Sequence, residues 1–260
     1  MRIARALVAG RPTFGEVDGE RFVPLEGDVF GEPRPSGEAL ERGGLTPLSP
    51  TDPHRLFAVL GGFHPPEGPP EGPRPDPLLV PKVVPAVGGD GAEIVFPSFC
   101  RTVMAEAELA VVVGRPLRGA SPEEAAEGVF GYTCCNDVTA PELFPQFYLS
   151  KSIDTFATLG PWVVTDVDPA DIRAGLAIVC RVNGERVQEG TTRRYKFAPE
   201  EVLSYLSRFL TLSPGDVVTL GTPDAPPEVR PGDVVEVEVE GVGVLTNRVV
   251  EDKDGPAAGS

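Results

Sequence analysis

Thirty glycines and thirty prolines in a chain of 260 residues set the strongest limit on its fold. Proline removes a backbone donor and ends helices, and glycine weakens their interiors. A bundle of long helices is therefore excluded, and many turns joining short strands are expected. Residues 2–8 form a strand. The segments Gly15-Glu16-Val17 and Arg21-Phe22-Val23 flank the turn Asp18-Gly19, a hairpin signal. Further strands are expected at 56–60, 103–113, 128–138, 161–165, 177–182, 217–220, 234–239 and 244–249, with a two-residue hairpin turn at Asn183-Gly184. Ser121-Pro122-Glu123-Glu124 reads as a capped helix start, and 199–209 has helical periodicity. The expected class is mixed and mainly β, with two or three short helices.

The organisation expected is a small N-terminal β-module over 1–52 and a main domain over 53–260. Within the latter, the proline-rich stretch 64–77 is a candidate lid loop, and 252–260 reads as a disordered tail. The formal charge of −16, with no basic run, fits neither nucleic acid nor an anionic membrane surface as a partner. The apolar run 109–113 is far too short to cross a membrane. The start carries Arg2 and Arg5 without a long apolar region, so no signal peptide is expected. The four cysteines (Cys100, Cys134, Cys135 and Cys180) make a poor disulfide framework and contain no Cys-x-x-Cys. Reduced thiols and a cytoplasmic protein are expected.

Chemistry concentrates in Glu106-Ala107-Glu108-Leu109-Ala110-Val111-Val112-Val113. On a strand, residues two apart share a face, so the two carboxylates point the same way about 7 Å apart. The following valines suggest burial, where paired carboxylates repel and lose solvation. A hard cation resolves that cost. The plain alternative is an edge strand with both acids in water. Asp137 supplies a third carboxylate at the end of an apolar strand, where Asn136-Asp137 alone would signal only a turn. The chain uses nineteen arginines but only four lysines, at 82, 151, 196 and 253. Where arginine is the default cation, a lysine points to a need for a compact charge. Lys151 is taken so, and Lys196 and Lys253 are read as surface charges. His64 and Glu67 form His-x-x-Glu at the mouth of the proline-rich loop, either a base for activating water or two solvated loop residues.

Together these stretches resemble the fumarylacetoacetate hydrolase family, with its 2-hydroxyhepta-2,4-diene-1,7-dioate isomerase and acylpyruvate hydrolase-like members. The resemblance runs over about 56–250. It is carried by Pro81-Lys82, the Glu106–Glu108 strand, Gly131-Tyr132-Thr133 with Asn136-Asp137-Val138, Lys151-Ser-Ile-Asp154-Thr-Phe156, Val182-Asn-Gly-Glu185 with Gln188, and Gly221-Thr222-Pro223. It implies a rolled β-sandwich-like core in a homodimer. It also implies Glu106, Glu108 and Asp137 as ligands of Mg2+ or Mn2+, and Lys151 as an active-site lysine. Lys82, Thr222 and Phe63 are implied on a substrate that is a small-molecule 2-oxo or β-dicarbonyl acid. The implied chemistry is a metal-stabilised enolate leading to decarboxylation, isomerisation or C–C hydrolysis, the last with His64 and Glu67 activating water. A non-catalytic metal-binding relative is the competing class.

The chain departs from the family pattern at three places. The His-x-x-Glu spacing survives only with two residues deleted before His64. The family's substrate-clamping Arg and Gln are replaced by Pro141 and Phe144. Arg193 and Arg194 occupy a stretch that usually reads differently, and either supply positive charge from a new direction or form a solvated pair. Because the water-activating pair depends on a deletion, decarboxylation or isomerisation is favoured over hydrolysis.

Overall fold

The computed structural model describes residues 1–83 and 87–253. The chain opens with β1 (Arg2–Val8), β2 (Arg11–Asp18) and β3 (Arg21–Glu26), then short pieces β4 (Arg34–Pro35), β5 (Leu40–Glu41) and β6 (Thr46–Leu48). After β7 (Leu56–Leu60) comes the proline-rich loop, which holds no helix, then β8 (Leu78–Pro81), β9 (Glu93–Phe96), β10 (Val103–Met104) and β11 (Ala107–Val113). Helix α1 (Pro122–Glu127) leads to β12 (Val129–Asn136), and α2 (Phe147–Lys151) to β13 (Thr158–Val164). Helix α3 (Pro169–Ala174), β14 (Ala177–Val182), β15 (Glu185–Thr191) and α4 (Pro199–Ser207) follow. The chain closes with β16 (Val217–Thr219), β17 (Glu228–Val229), β18 (Val234–Val239) and β19 (Gly243–Glu251).

The mainly β class is what the structure shows, with more helices than expected: α2 and α3 were not foreseen. Two large sheets carry the fold. One has twelve strands along the order β4-β3-β2-β1-β13-β12-β11-β16-β7-β8, with β5 beside β3 and β6 beside β1. The other has five, β15-β14-β18-β19-β9. The N-terminal strands join the main sheet directly, because β1 pairs antiparallel with β13, Ile3 opposite Val163. Of the expected tail, 252 and 253 are described; 254–260 lie outside the described residues.

Strand β11 is buried along its full length, with β12 and β16 at its sides. Such a strand reads as a continuous apolar run rather than an alternation. Leu109, Val111 and Val113 join the core between the sheets, with Ile178, Val237 and Leu245 of the second sheet. Ala110 and Val112 face the other way, with Leu56 and Val217. Glu108 has the parity of this second face. One expectation needs correction: 103–113 is not a single strand. It breaks at Ala105–Glu106, where the Ala105 N–H leaves the ladder to donate to the Pro227 carbonyl at 3.0 Å.

Candidate metal centre and cavity

Register brings the acids together. Glu108 sits opposite Cys135 on β12. Just past the ladder, the Asp137 N–H donates to the Glu106 carbonyl at 3.0 Å, so Glu106 and Asp137 face each other across neighbouring chains. The result is a cluster of Glu106, Glu108 and Asp137, each buried and each offering an oxygen within 4.8 Å of the others. The Glu106 N–H is held by Asn136 Oδ1 at 3.2 Å, and Gly221 N–H donates to Glu108 Oε2 at 2.7 Å.

Two lysines reach the cluster. Lys151, at the end of α2, donates to Glu106 Oε2 at 2.9 Å, to Thr139 Oγ1 at 2.9 Å and to Asp137 Oδ2. Lys82 donates to Asp137 Oδ1 and to the Val138 carbonyl at 3.3 Å. Both ammoniums are buried. Burial pushes the Glu106 carboxyl above its ordinary value, against the pull of Lys151. Burial, aided by Asp137, pushes Glu108 well up. Burial would raise Asp137 too, but Lys151 and Lys82 outweigh it and hold this group low. Lys151 is raised, because its three carboxylates outweigh the cost of burying its charge. Two ammoniums against three carboxylates leave one formal negative charge. The donor set is all hard oxygen, which suits Mg2+, Mn2+ or Ca2+ rather than a soft metal.

Above the cluster lies a cavity of about 330 Å³ lined by Val59, Leu60, Gly61, Glu106, Glu108, Phe144, Lys151 and Thr222. Thr222 Oγ1 accepts from Gln188 Nε2 at 3.0 Å, which leaves its own proton to donate. A larger groove of about 590 Å³ lies elsewhere, lined by Glu16, Asp18, Asp166, Asp171 and Glu240 among others. Its acidic lining repels an anion and it lacks the triad, so the smaller cavity is the one with chemistry.

The structure thus gathers Glu106, Glu108, Asp137 and Lys151, with Thr222 at the wall. Lys82 stands behind Asp137 and lines a separate cavity of about 290 Å³. Phe63 is buried against Tyr195, ring centroids 4.8 Å apart, and is not in the cavity wall. His64 and Glu67 also lie outside that wall. Glu67 is exposed, His64 Nδ1 is buried without a partner, and among the described residues no hydrogen bond joins the two. Arg194 pairs with Asp224 at 2.5 Å and holds the His64 carbonyl, while Arg193 is spent on the Ala174 carbonyl. Sequence reasoning gave no role to Thr139 or Gln188. Thr139 follows Asp137 by two residues on the same run, and that spacing was its available signal.

Fold and site define a mainly β protein with a candidate divalent-cation centre beneath a small cavity. Residues 63–250 match the family described as fumarylacetoacetate (FAA) hydrolase C-terminal, and 1–50 match one described as Rv2993c-like, N-terminal. The chain belongs to the fumarylacetoacetate hydrolase family. It is similar in structure to 5-carboxymethyl-2-hydroxymuconate delta-isomerase from Mycobacterium smegmatis, with a TM-score of 0.87 and 31% identity, covering 97% of this chain and 100% of that one. It is 39% identical over 170 residues to the mitochondrial oxaloacetate tautomerase FAHD2A of Homo sapiens, 61% of this chain and 54% of that protein. It is 43% identical over 149 residues to a 4-hydroxyphenylacetate degradation bifunctional isomerase/decarboxylase of Salmonella dublin, 56% of this chain and 34% of that protein. The matches thus span about half and about a third of those two curated relatives.

Proposed function

We propose that this chain is a divalent-cation-dependent enzyme acting on a 2-oxo or β-dicarbonyl acid by way of an enolate, with decarboxylation or isomerisation favoured over C–C hydrolysis. The observation that carries the reading is the buried Glu106–Glu108–Asp137 cluster opening, with Lys151, into one cavity. Mg2+ or Mn2+ held by those oxygens would supply Lewis-acid charge to a carbonyl and acidify its neighbouring carbon. Lys151 presents a fixed positive charge for the substrate carboxylate or the developing enolate oxygen. The Thr222 hydroxyl, oriented by Gln188, donates to a carboxylate oxygen. Val59, Leu60 and Phe144 keep the wall apolar, which strengthens those interactions by excluding water. Lys82 clamps Asp137 from behind and positions it.

Hydrolysis is the weaker alternative because nothing links His64 to Glu67 and neither lines the cavity. The three relatives named above fit this reading, since isomerisation, tautomerisation and decarboxylation of oxo acids share an enol form, while hydrolases also occur among the similar structures. The reading includes a homodimer, which sedimentation velocity checks, and a cytoplasmic location, supported by four free, buried cysteines. Among the described residues, no helix is long and apolar enough to cross a membrane.

The test is calorimetric titration of oxalate, whose paired oxygens mimic the planar enolate, with and without Mn2+. Binding that needs both Mn2+ and Glu106, and is lost in Glu106→Ala, is the expected result. No uptake of Mn2+ by the native chain would overturn the reading.

A further inference from the structure

The charged side chains that line the cavity all belong to the cluster: Glu106, Glu108 and Lys151. Thr222 is the remaining polar one, and Val59, Leu60 and Phe144 are apolar. Among the described residues Lys151 is the one cation of that wall, and its ammonium lies on Glu106 and Asp137. Lys82 stands behind Asp137, and Arg194 and Lys196 lie outside the wall. The three carboxylates and two ammoniums leave one negative charge. With a divalent cation in place the sum is one positive charge, and a single ligand carboxylate cancels it. A second carboxylate on the same ligand would meet no cation. It would lie against Val59, Leu60 and Phe144, unpaired and stripped of water, which is costly.

Phe144 is held at the wall by its own segment. It lies in the 3-10 turn 141–146, where Pro141 and Pro145 each fix φ. Its neighbours anchor that turn. The Glu142 carboxylate accepts from Arg101 N–H at 2.6 Å, Leu143 packs against the core, and Leu143 N–H donates to the Ala140 carbonyl at 3.0 Å. The same run continues into α2 and Lys151, so Phe144 and Lys151 reach one cavity from one stretch of chain. Phe144 is nevertheless 39% exposed. An apolar group laid on its ring removes water from both surfaces, which favours binding in proportion to the area covered. At about 330 Å³ the cavity is near the small end of ligand sites, which run roughly 300–1,000 Å³. It admits a short chain or one ring beside the reacting carbons.

We infer that the cavity selects 2-oxo monocarboxylic acids with an apolar tail over dicarboxylic ones, and that Phe144 is the side chain that reads the tail. The inference rests on the reading above, in which the carboxylate and keto oxygens face the Glu106–Glu108–Asp137 end. Phe144 is thus a specificity residue: it acts on a group remote from the reacting carbon and matters for affinity rather than for the bond chemistry.

The experiment is calorimetric binding to the Mn2+-loaded protein, native and as Phe144→Ala, Phe144→Leu and Phe144→Arg, with melting temperatures recorded for each. The ligands are oxalate as the reference without a tail, 2-oxohexanoate and phenylpyruvate as apolar-tailed acids, and 2-oxoadipate, which matches 2-oxohexanoate in chain length but ends in a carboxylate. In the native chain 2-oxohexanoate should bind roughly tenfold or more tightly than 2-oxoadipate, since only the latter brings an unpaired charge. Phe144→Ala should weaken both apolar-tailed acids by roughly tenfold relative to oxalate on the same variant, and Phe144→Leu should restore part of that loss. Phe144→Arg should move the margin toward 2-oxoadipate. A native chain that binds oxalate, and binds 2-oxoadipate at least as tightly as 2-oxohexanoate, overturns the inference and leaves the enolate reading standing. Apolar-tailed acids that weaken no more than oxalate does in Phe144→Ala overturn it as well. Failure of the native chain to bind oxalate overturns both.

Discussion

Lys82 makes the sharpest residue-scale case, because its ammonium and the Asp137 carboxylate are both fully buried. Taking away one member of such a pair leaves an uncompensated charge in the interior, at a cost of about 3–5 kcal/mol. Lys82→Met should lose that much stability in urea denaturation of the metal-free protein, and added Mn2+ should recover part of it. Protons compete with the cation at the same oxygens. Burial raises Glu106 and Glu108, so these groups hold protons at higher pH than ordinary carboxylates do. A metal must displace those protons, so Mn2+ affinity should climb with pH and fall as pH drops through the raised values. Calorimetry in buffers of differing ionisation heat should show proton release on binding; affinity independent of pH would contradict the assignment. Glu108→Gln should weaken Mn2+ by more than roughly 100-fold, beyond the effect of altering an outer residue. The acids were legible in the sequence because Glu106 and Glu108 stand two apart at the head of a buried apolar run. The role of Lys82 was not, since it lies behind its carboxylate, away from the cavity.

At the scale of elements, legibility follows the source of each element's stability. Strands β1, β7, β14 and β18 carry their own apolar and β-branched pattern and were read at their true bounds. The two-residue strands β4, β5 and β17 exist only through a distant partner, and no local pattern announces them. Helix α2 is five residues long and follows a 3-10 turn over 141–146 that contains Pro145. Tertiary contacts support it: the Ser150 carbonyl accepts from Ala140 N–H, and Lys151 is anchored at the triad. Helix α1 is the opposite case, with a full capping box in which Ser121 accepts from Glu124 N–H and Glu124 bonds back to Ser121 N–H. Ser121→Ala should cost about 1 kcal/mol in denaturation and leave Mn2+ binding untouched. A shift in metal affinity would mean that α1 is coupled to the centre.

For the molecule as a whole, charge opposes the function proposed. A body of net charge −16 repels an anionic ligand at long range, while the lysines attract it only at short range. Raising salt from about 20 to about 200 mM shortens the screening length and should speed oxalate association in stopped-flow measurements. Slower association would show that the local lysine field already governs approach. The splice of β1 onto β13 bears on how such a body is made. Ile3 is synthesised 160 residues ahead of its partner Val163. Strand β6 covers the Arg5–Leu7 part of that edge early, but Arg2 and Ile3 stay unpaired through the interval, and an unpaired edge is a template for any passing strand. Assembly on the ribosome is therefore a waiting problem, with β1 completed only when β13, twelve strands later, arrives.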